Sequence, residues 1–203
     1  MKNEKIITGS TQVILASSSA TRINILQNFF DKVKVVRHKV DEVKEKRKKK
    51  NLNAQKLVKY LAENKAKSIC SEYKNGYIIS CDQILECSKK IISKPMNLKQ
   101  AKTNLLFLTG KPHNLFTCLY VIKNMKEYFI EETSSKIFFK KVSEEKIDHY
   151  IAENEVTTLS CVGSYKIEDN NKYKFLEIVR GDEESIVGFP IKKFIQKIRK
   201  EKL

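Results

Sequence analysis

The chain contains no apolar run approaching the roughly 18 residues that a membrane span needs. Its start, MKNEKIITGS, also lacks the apolar segment of a secretory signal. Both absences lead to the expectation of a cytoplasmic protein with no membrane partner. The cysteines, Cys70, Cys81, Cys87, Cys118 and Cys161, make no CxxC pair and stand at no zinc spacing with histidine, so the common zinc modules are excluded and buried free thiols are expected. Neither a GxxxxGK(S/T) loop nor a GxGxxG fingerprint occurs. That excludes the commonest nucleotide folds, and any triphosphate must be held by side chains, helix starts and metal. No repeat or linker divides the chain, and 203 residues, 41% of them hydrophobic, are enough to bury a core.

Acidic residues are in deficit, 24 Asp and Glu against 40 Lys and Arg, which leaves a formal charge of +16. A basic surface attracts nucleic acid, nucleotides and membranes alike. Lysine supplies most of the charge alongside frequent Asn and Ile, as an AT-rich coding sequence would produce without functional demand. The densest run, Lys44-Glu45-Lys46-Arg47-Lys48-Lys49-Lys50, has no interleaved aromatics for base stacking and reads as a solvated loop. A basic nucleic-acid-binding protein is therefore a rival reading, ranked low because no base-reading motif accompanies the charge.

Val13, Ile14 and Leu15 form a short strand signal. Ser17-Ser18-Ser19 can then cap a helix carrying Ile23, Leu26, Phe29 and Phe30. A second strand near Val33 to Val36 leads through His38 to Asp41-Glu42. Residues 53 to 70 read as a helix with Leu57, Val58, Leu61, Ala62 and Ile69 on one stripe and Lys65 on its inward side. Tyr77 to Cys81 reads as a buried strand ending at Asp82, with Ile84-Leu85 continuing past a bend. Asn97 caps a helix bearing Leu98, Ala101, Leu105 and Leu108, stopped by Gly110. Residues 114 to 122 are too continuously apolar for a one-sided sheet and suggest a central strand covered on both faces. After a hairpin near Asn124 come a strand from Lys136, a helix capped by Ser143, a strand from Phe175 to Val179 and a terminal helix opened by Pro190. Interleaved strands and helices with one hairpin give an α/β fold with a mixed sheet.

Polar and charged residues recur where these strands end: Ser17 and Ser19 with Arg22, then Asp41-Glu42, Asp82-Gln83 and Lys94. Sites gather at strand ends in such sheets. Carboxylates can hold a hard divalent ion or orient water, while Arg and Lys neutralise phosphate oxygens, so the set suggests phosphoryl chemistry. Each residue also has a structural reading. The serines can cap a helix, Asp41-Glu42 can be solvated, Lys65 can snorkel, and Lys94 before Pro95 can be a turn lysine. Asp82, directly after Tyr-Ile-Ile-Ser-Cys, is the hardest to explain as surface charge.

The motifs Leu15-Ala16-Ser17-Ser18-Ser19-Ala20-Thr21-Arg22, Val40-Asp41-Glu42, Leu61-Ala62-Glu63-Asn64-Lys65-Ala66, Asp82-Gln83 and Lys94-Pro95 follow one another in order. Leu108 to His113, Gly163 to Glu168, and Gly181-Asp182 before Gly188-Phe189-Pro190 come after them. Together they resemble the Maf family of nucleotide pyrophosphatases over nearly the whole chain. The resemblance implies a Maf/ITPase-like mixed, twisted sheet with flanking helices and a central cleft between two lobes, within a single domain over residues 1–203. It implies hydrolysis of a nucleoside triphosphate to monophosphate and pyrophosphate with Mg2+ or Mn2+. Asp82 would be the proton acceptor, Glu42 its metal-site partner, and Ser17, Arg22, Lys65 and Lys94 would line the phosphate side. Thr21, Gln83 and Glu168 fall on positions that resemble specificity determinants. A DQ step and a glutamate are similar to the 7-methyl-GTP branch rather than the dTTP/UTP branch, whereas Thr21 and Ala20 depart from the usual pattern. A homodimer is implied by the resemblance alone, and a catalytically weak regulatory relative is the remaining alternative.

Overall fold

The computed structural model describes residues 5–7 and 9–201. It contains a seven-stranded sheet in the order β2-β1-β3-β5-β6-β7, with β4 paired to β3. The strands are β1 (Val13–Leu15), β2 (Lys34–Val35), β3 (Tyr77–Cys87), β4 (Lys90–Ile92), β5 (Lys111–Lys123), β6 (Lys126–Phe139) and β7 (Leu176–Arg180). β1 runs parallel to β2 and β3, while β4 and β7 run antiparallel to β3 and β6. The mixed sheet expected from the alternation of elements is thus present. Between its strands lie helices α1 (Ala20–Gln27), α2 (Glu42–Lys48), α3 (Ala54–Lys67), α4 (Leu98–Leu108), α5 (Glu144–Glu153), α6 (Glu155–Ser160) and α7 (Asn170–Tyr173), and after β7 come α8 (Glu183–Val187) and α9 (Lys192–Glu201).

The chain divides into two compact units. The first comprises residues up to Asp82, Thr117–Glu132 and Gly188 onward; the second comprises Gln83–Phe116 and Thr133–Val187. In the first, Val13, Leu15, Tyr77, Ile79, Leu119 and Val121 of the strands pack with Leu26, Phe30, Phe194, Ile195 and Ile198. In the second, Leu85, Cys87, Leu115, Ile137 and Phe139 pack with Leu105, Leu108, Ile147 and Tyr150. Fully burying each such Leu, Ile or Phe contributes roughly 1.5–3 kcal/mol.

Local chemistry accounts for the element ends. Asn53 and Asn97 cap α3 and α4 by accepting from the backbone N–H groups of Lys56 and Gln100. Gly110, at φ 72°, lets the chain turn after α4. Asn124 and Met125 both take positive φ in the two-residue turn between β5 and β6, as a tight hairpin with the twist of its strands requires. Two expectations are corrected. β3 does not end at Asp82 but runs unbroken to Cys87, so Asp82 and Gln83 lie inside an eleven-residue strand. The lysine-rich run is no loop either: residues 42–48 form α2, capped by Asp41 accepting from the Lys44 N–H. The Tyr60 hydroxyl ties α2 to α3 by donating to Glu45 Oε2 at 2.6 Å.

Candidate active site

The site in the first unit is built around one helix docked on one strand. On β3, the fully buried Ser80 donates through its hydroxyl to the Ala62 carbonyl of α3 at 2.6 Å. Ala62 lies three residues before Lys65, so this bond sets the rotation of α3 against the strand. The stripe Leu57, Val58, Leu61 and Ala62 is buried on the same side and carries Lys65 inward with it. Lys65 Nζ then donates to Asp82 Oδ1 at 2.5 Å and pairs with Glu42 Oε1 at 2.8 Å. The lysine is read as neither snorkelling nor exposed, since its side chain is only 5% accessible.

Glu42 arrives from the start of α2. Asp41 and Glu42 have separate tasks: Asp41 caps the helix and Glu42 faces Lys65. His38 Nδ1 accepts from the Val40 N–H at 3.3 Å, which leaves Nε2 facing Glu42 Oε1 at 3.6 Å. Lys46, one helical turn on, stands 3.8 Å from Glu42 Oε2. Together the His38 imidazole and the Lys65 and Lys46 ammoniums outweigh partial burial and hold the Glu42 carboxyl well below the usual carboxylate range. Burial opposes the charge on Lys65, but the Asp82 and Glu42 carboxylates overcome it and hold its ammonium above the ordinary lysine value. A buried ion pair of this kind is weak support for stability and marks a functional site more readily than a structural one.

Arg22 reaches the same neighbourhood from α1. Its Nη1 donates to the Cys81 carbonyl at 2.6 Å and its Nε to the Gly188 carbonyl at 3.1 Å. The Cys81 thiol, which burial pushes up to about 11, donates to the same Gly188 carbonyl at 3.3 Å. Arg22 therefore clamps the peptide immediately before Asp82, in addition to presenting charge. Ser17 is buried, and its hydroxyl accepts from the Ser19 N–H at 3.2 Å. Ser19 is the N-cap of α1 by position but makes no side-chain cap bond, and Thr21 is half-buried on the first turn.

Gln83, Lys94 and Glu168 belong to the second unit. The Gln83 amide nitrogen donates to the Ser185 and Ile186 carbonyls of α8, both at 3.1 Å, so it anchors that short helix. Lys94 and Glu168 are exposed. Both act on one group: burial raises the Cys161 thiol, the Lys166 and Lys94 charges oppose the rise, and Glu168 adds to it.

Sequence reasoning missed Ser80, His38 and Lys46. Ser80 could not be found, because its partner Ala62 is distant in the chain. The Glu42 and Lys46 spacing is a signal only on a helix, whereas the charge run suggests a loop, and His38 lies ahead of α2 with no such signature.

Among the described residues no group of three or more His, Cys, Asp or Glu is gathered as a metal site. Glu42 and Asp82 nevertheless suit a hard cation of the magnesium type, which binds through one or two carboxylates plus substrate phosphates. The supporting observation is Asp82 Oδ2, which is buried and finds no hydrogen-bond partner among the described residues. An unsatisfied buried acceptor costs about 1–3 kcal/mol and calls for a ligand.

The mixed sheet thus carries a buried lysine between two carboxylates, with an arginine clamped on the neighbouring backbone. The chain belongs to the Maf family: a profile described as Maf-like protein matches residues 12–201. It is 31% identical to a 7-methyl-GTP pyrophosphatase of Bartonella henselae, over 92% of this chain and 94% of that one. It is 30% identical to a dTTP/UTP pyrophosphatase of Fusobacterium nucleatum, over 93% and 94%. A nucleoside triphosphate pyrophosphatase of Legionella pneumophila is 31% identical over 88% of each chain. No described helix is long and apolar enough to cross a membrane.

Proposed function

We propose that this chain hydrolyses a nucleoside triphosphate to the monophosphate and pyrophosphate. The observation that carries the reading is the buried Lys65 bridge between Asp82 and Glu42, with Asp82 Oδ2 left unpartnered. Asp82 accepts the proton of the attacking water. The water oxygen bonds to the α-phosphorus, the bridge to the β-phosphate breaks, and pyrophosphate leaves with the electron pair. Lys65 holds both carboxylates in place, and Arg22 fixes the backbone beside Asp82 while its charge offsets phosphate oxygens. By resemblance to the family, Ser17 would line the phosphate side and Lys94 would supply a further cation. Glu42 and Asp82 would hold Mg2+ or Mn2+, which would supply charge neutralisation and lower the water's pKa.

The substrate proposed is a modified purine triphosphate such as 7-methyl-GTP. Glu168 supports this reading because a carboxylate accepts hydrogen bonds from a guanine edge and complements a cationic methylated purine. Identity to relatives does not choose, since those named for 7-methyl-GTP and for dTTP/UTP stand at 31% and 30%. A homodimer is the proposed assembly, on family resemblance.

The test is a panel of 7-methyl-GTP, UTP, dTTP and ordinary purine triphosphates, with Mg2+ or Mn2+, scored separately for pyrophosphate and orthophosphate. Pyrophosphate release is expected, with Asp82→Asn folded but slowed about a hundred-fold or more. Release of orthophosphate alone, or no turnover of any triphosphate, refutes the reaction.

A further inference from the structure

In the run from Lys44 to Lys50, one lysine is set apart by the fold. Lys44, Arg47, Lys48, Lys49 and Lys50 are exposed, whereas Lys46 is half-buried, one helical turn from Glu42 on the side that faces it. Its side chain retains 27% accessibility. The two oxygens of Glu42 are shared unequally. Oε1 takes Lys65 at 2.8 Å, and Lys65 is also fixed by Asp82 and nearly inaccessible. Oε2 has Lys46 at 3.8 Å, too far for a hydrogen bond. Among the described residues the Lys46 ammonium has that ion pair and no hydrogen bond, so its three N–H donors are satisfied by no protein acceptor. Lys65 has two close carboxylate partners and little access to solvent, whereas Lys46 can turn toward an arriving anion on its flexible four-carbon stem.

We propose that Lys46 is a phosphate-binding residue of this site, its ammonium passing from the Glu42 carboxylate to the non-bridging oxygens of the substrate's β- and γ-phosphates. This rests on the triphosphate reading above and adds the residue that grips the leaving pyrophosphate. A triphosphate tail carries several negative charges with acceptors on every side, and charge-assisted hydrogen bonds to it form at about 2.7–2.9 Å. That exceeds what one carboxylate oxygen at 3.8 Å offers.

The competing account is a plain i, i+4 helix pair, which stabilises a helix by about 0.2–0.5 kcal/mol and leaves substrate affinity alone. Lys46→Gln, Lys46→Arg and, as control, Lys44→Gln on the same helix separate the two. The readouts are kcat, KM for the best triphosphate of the panel, and the inhibition constant of inorganic pyrophosphate. In Lys46→Gln the KM and the pyrophosphate constant should both rise about ten-fold with kcat changed less than about two-fold, as for loss of uniform binding. Lys46→Arg should restore most of the affinity and Lys44→Gln should resemble the unsubstituted protein. An unchanged pyrophosphate constant in Lys46→Gln, with hydrolysis intact, overturns the role of Lys46 alone. An equal rise in Lys44→Gln also overturns it, showing a diffuse effect of the basic surface. Absence of triphosphate hydrolysis in the unsubstituted protein removes the functional reading and this proposal together.

Discussion

Replacing Lys65 with methionine removes one charge from the centre of the site at nearly constant volume. The side chain lost is 5% accessible and holds Asp82 Oδ1 at 2.5 Å and Glu42 Oε1 at 2.8 Å. Afterwards Asp82, itself only 7% accessible at the side chain, has neither oxygen paired. Removing one partner of a buried pair costs about 3–5 kcal/mol, because the other charge stays in a poorly solvating interior. Glu42 adds less, since at 37% accessibility it can regain water. For a chain of this size each kcal/mol lowers Tm by about 2–4 °C, so Lys65→Met should melt about 6–20 °C early. The double variant Lys65→Met/Asp82→Leu removes the stranded charge and should recover most of that loss, as apolar replacements of buried pairs do. Both variants should release no pyrophosphate. Calorimetry at neutral pH, run beside the pyrophosphate assay, reads both quantities. If Lys65→Met melts within about 2 °C of the parent, or the double variant is no more stable than the single, the bridge is not the buried ion-paired unit described.

Two further outcomes follow from the same contacts. The Glu42 carboxyl is held below its unfolded value by His38, Lys65 and Lys46. Its contribution to stability is therefore fully present above the ordinary carboxylate range and is lost as pH falls through the lowered folded value. Urea midpoints measured from neutral to strongly acidic pH should fall less steeply in Glu42→Gln than in the parent, and parallel curves would refute the linkage. Arg22→Lys should fold but lose about 1–3 kcal/mol and much of its kcat, because an ammonium cannot span the Cys81 and Gly188 carbonyls as the guanidinium fork does. Unchanged Tm and kcat would show that the clamp does not position Asp82.

The elements legible in the sequence were those with a local signature. α3 and α4 each begin at an asparagine that accepts from the third residue onward, and both carry apolar residues at helical spacing. β5 was visible as a largely apolar run from Leu115 to Ile122, and it lies inside the sheet between β3 and β6. α2 was missed because it has no buried residue. What holds it is a cap, ion pairs and the Tyr60–Glu45 bond, which a hydrophobic pattern does not register. The full length of β3 was missed because Asp82 and Gln83 break its apolar run. They are tolerated inside the strand because Lys65 and the α8 carbonyls answer them from segments far away in the chain.

The candidate residues themselves were readable as types in an ordered set of motifs, and the sequence alone determined the family and the presence of both carboxylates and cations in that set. It also determined that phosphate would have to be held without a glycine-rich loop. Only the tertiary structure decided which cation meets which carboxylate: that Lys65 is buried between Asp82 and Glu42, that Arg22 is spent largely on backbone carbonyls, and that Lys46 leaves a lysine-rich surface to face Glu42. The reason is range. Caps and amphipathic stripes act within a few residues, whereas the Ser80–Ala62 bond and the Lys65 bridge join positions 18 and 17 residues apart. Such contacts exist only once a helix has docked on a strand at one particular rotation.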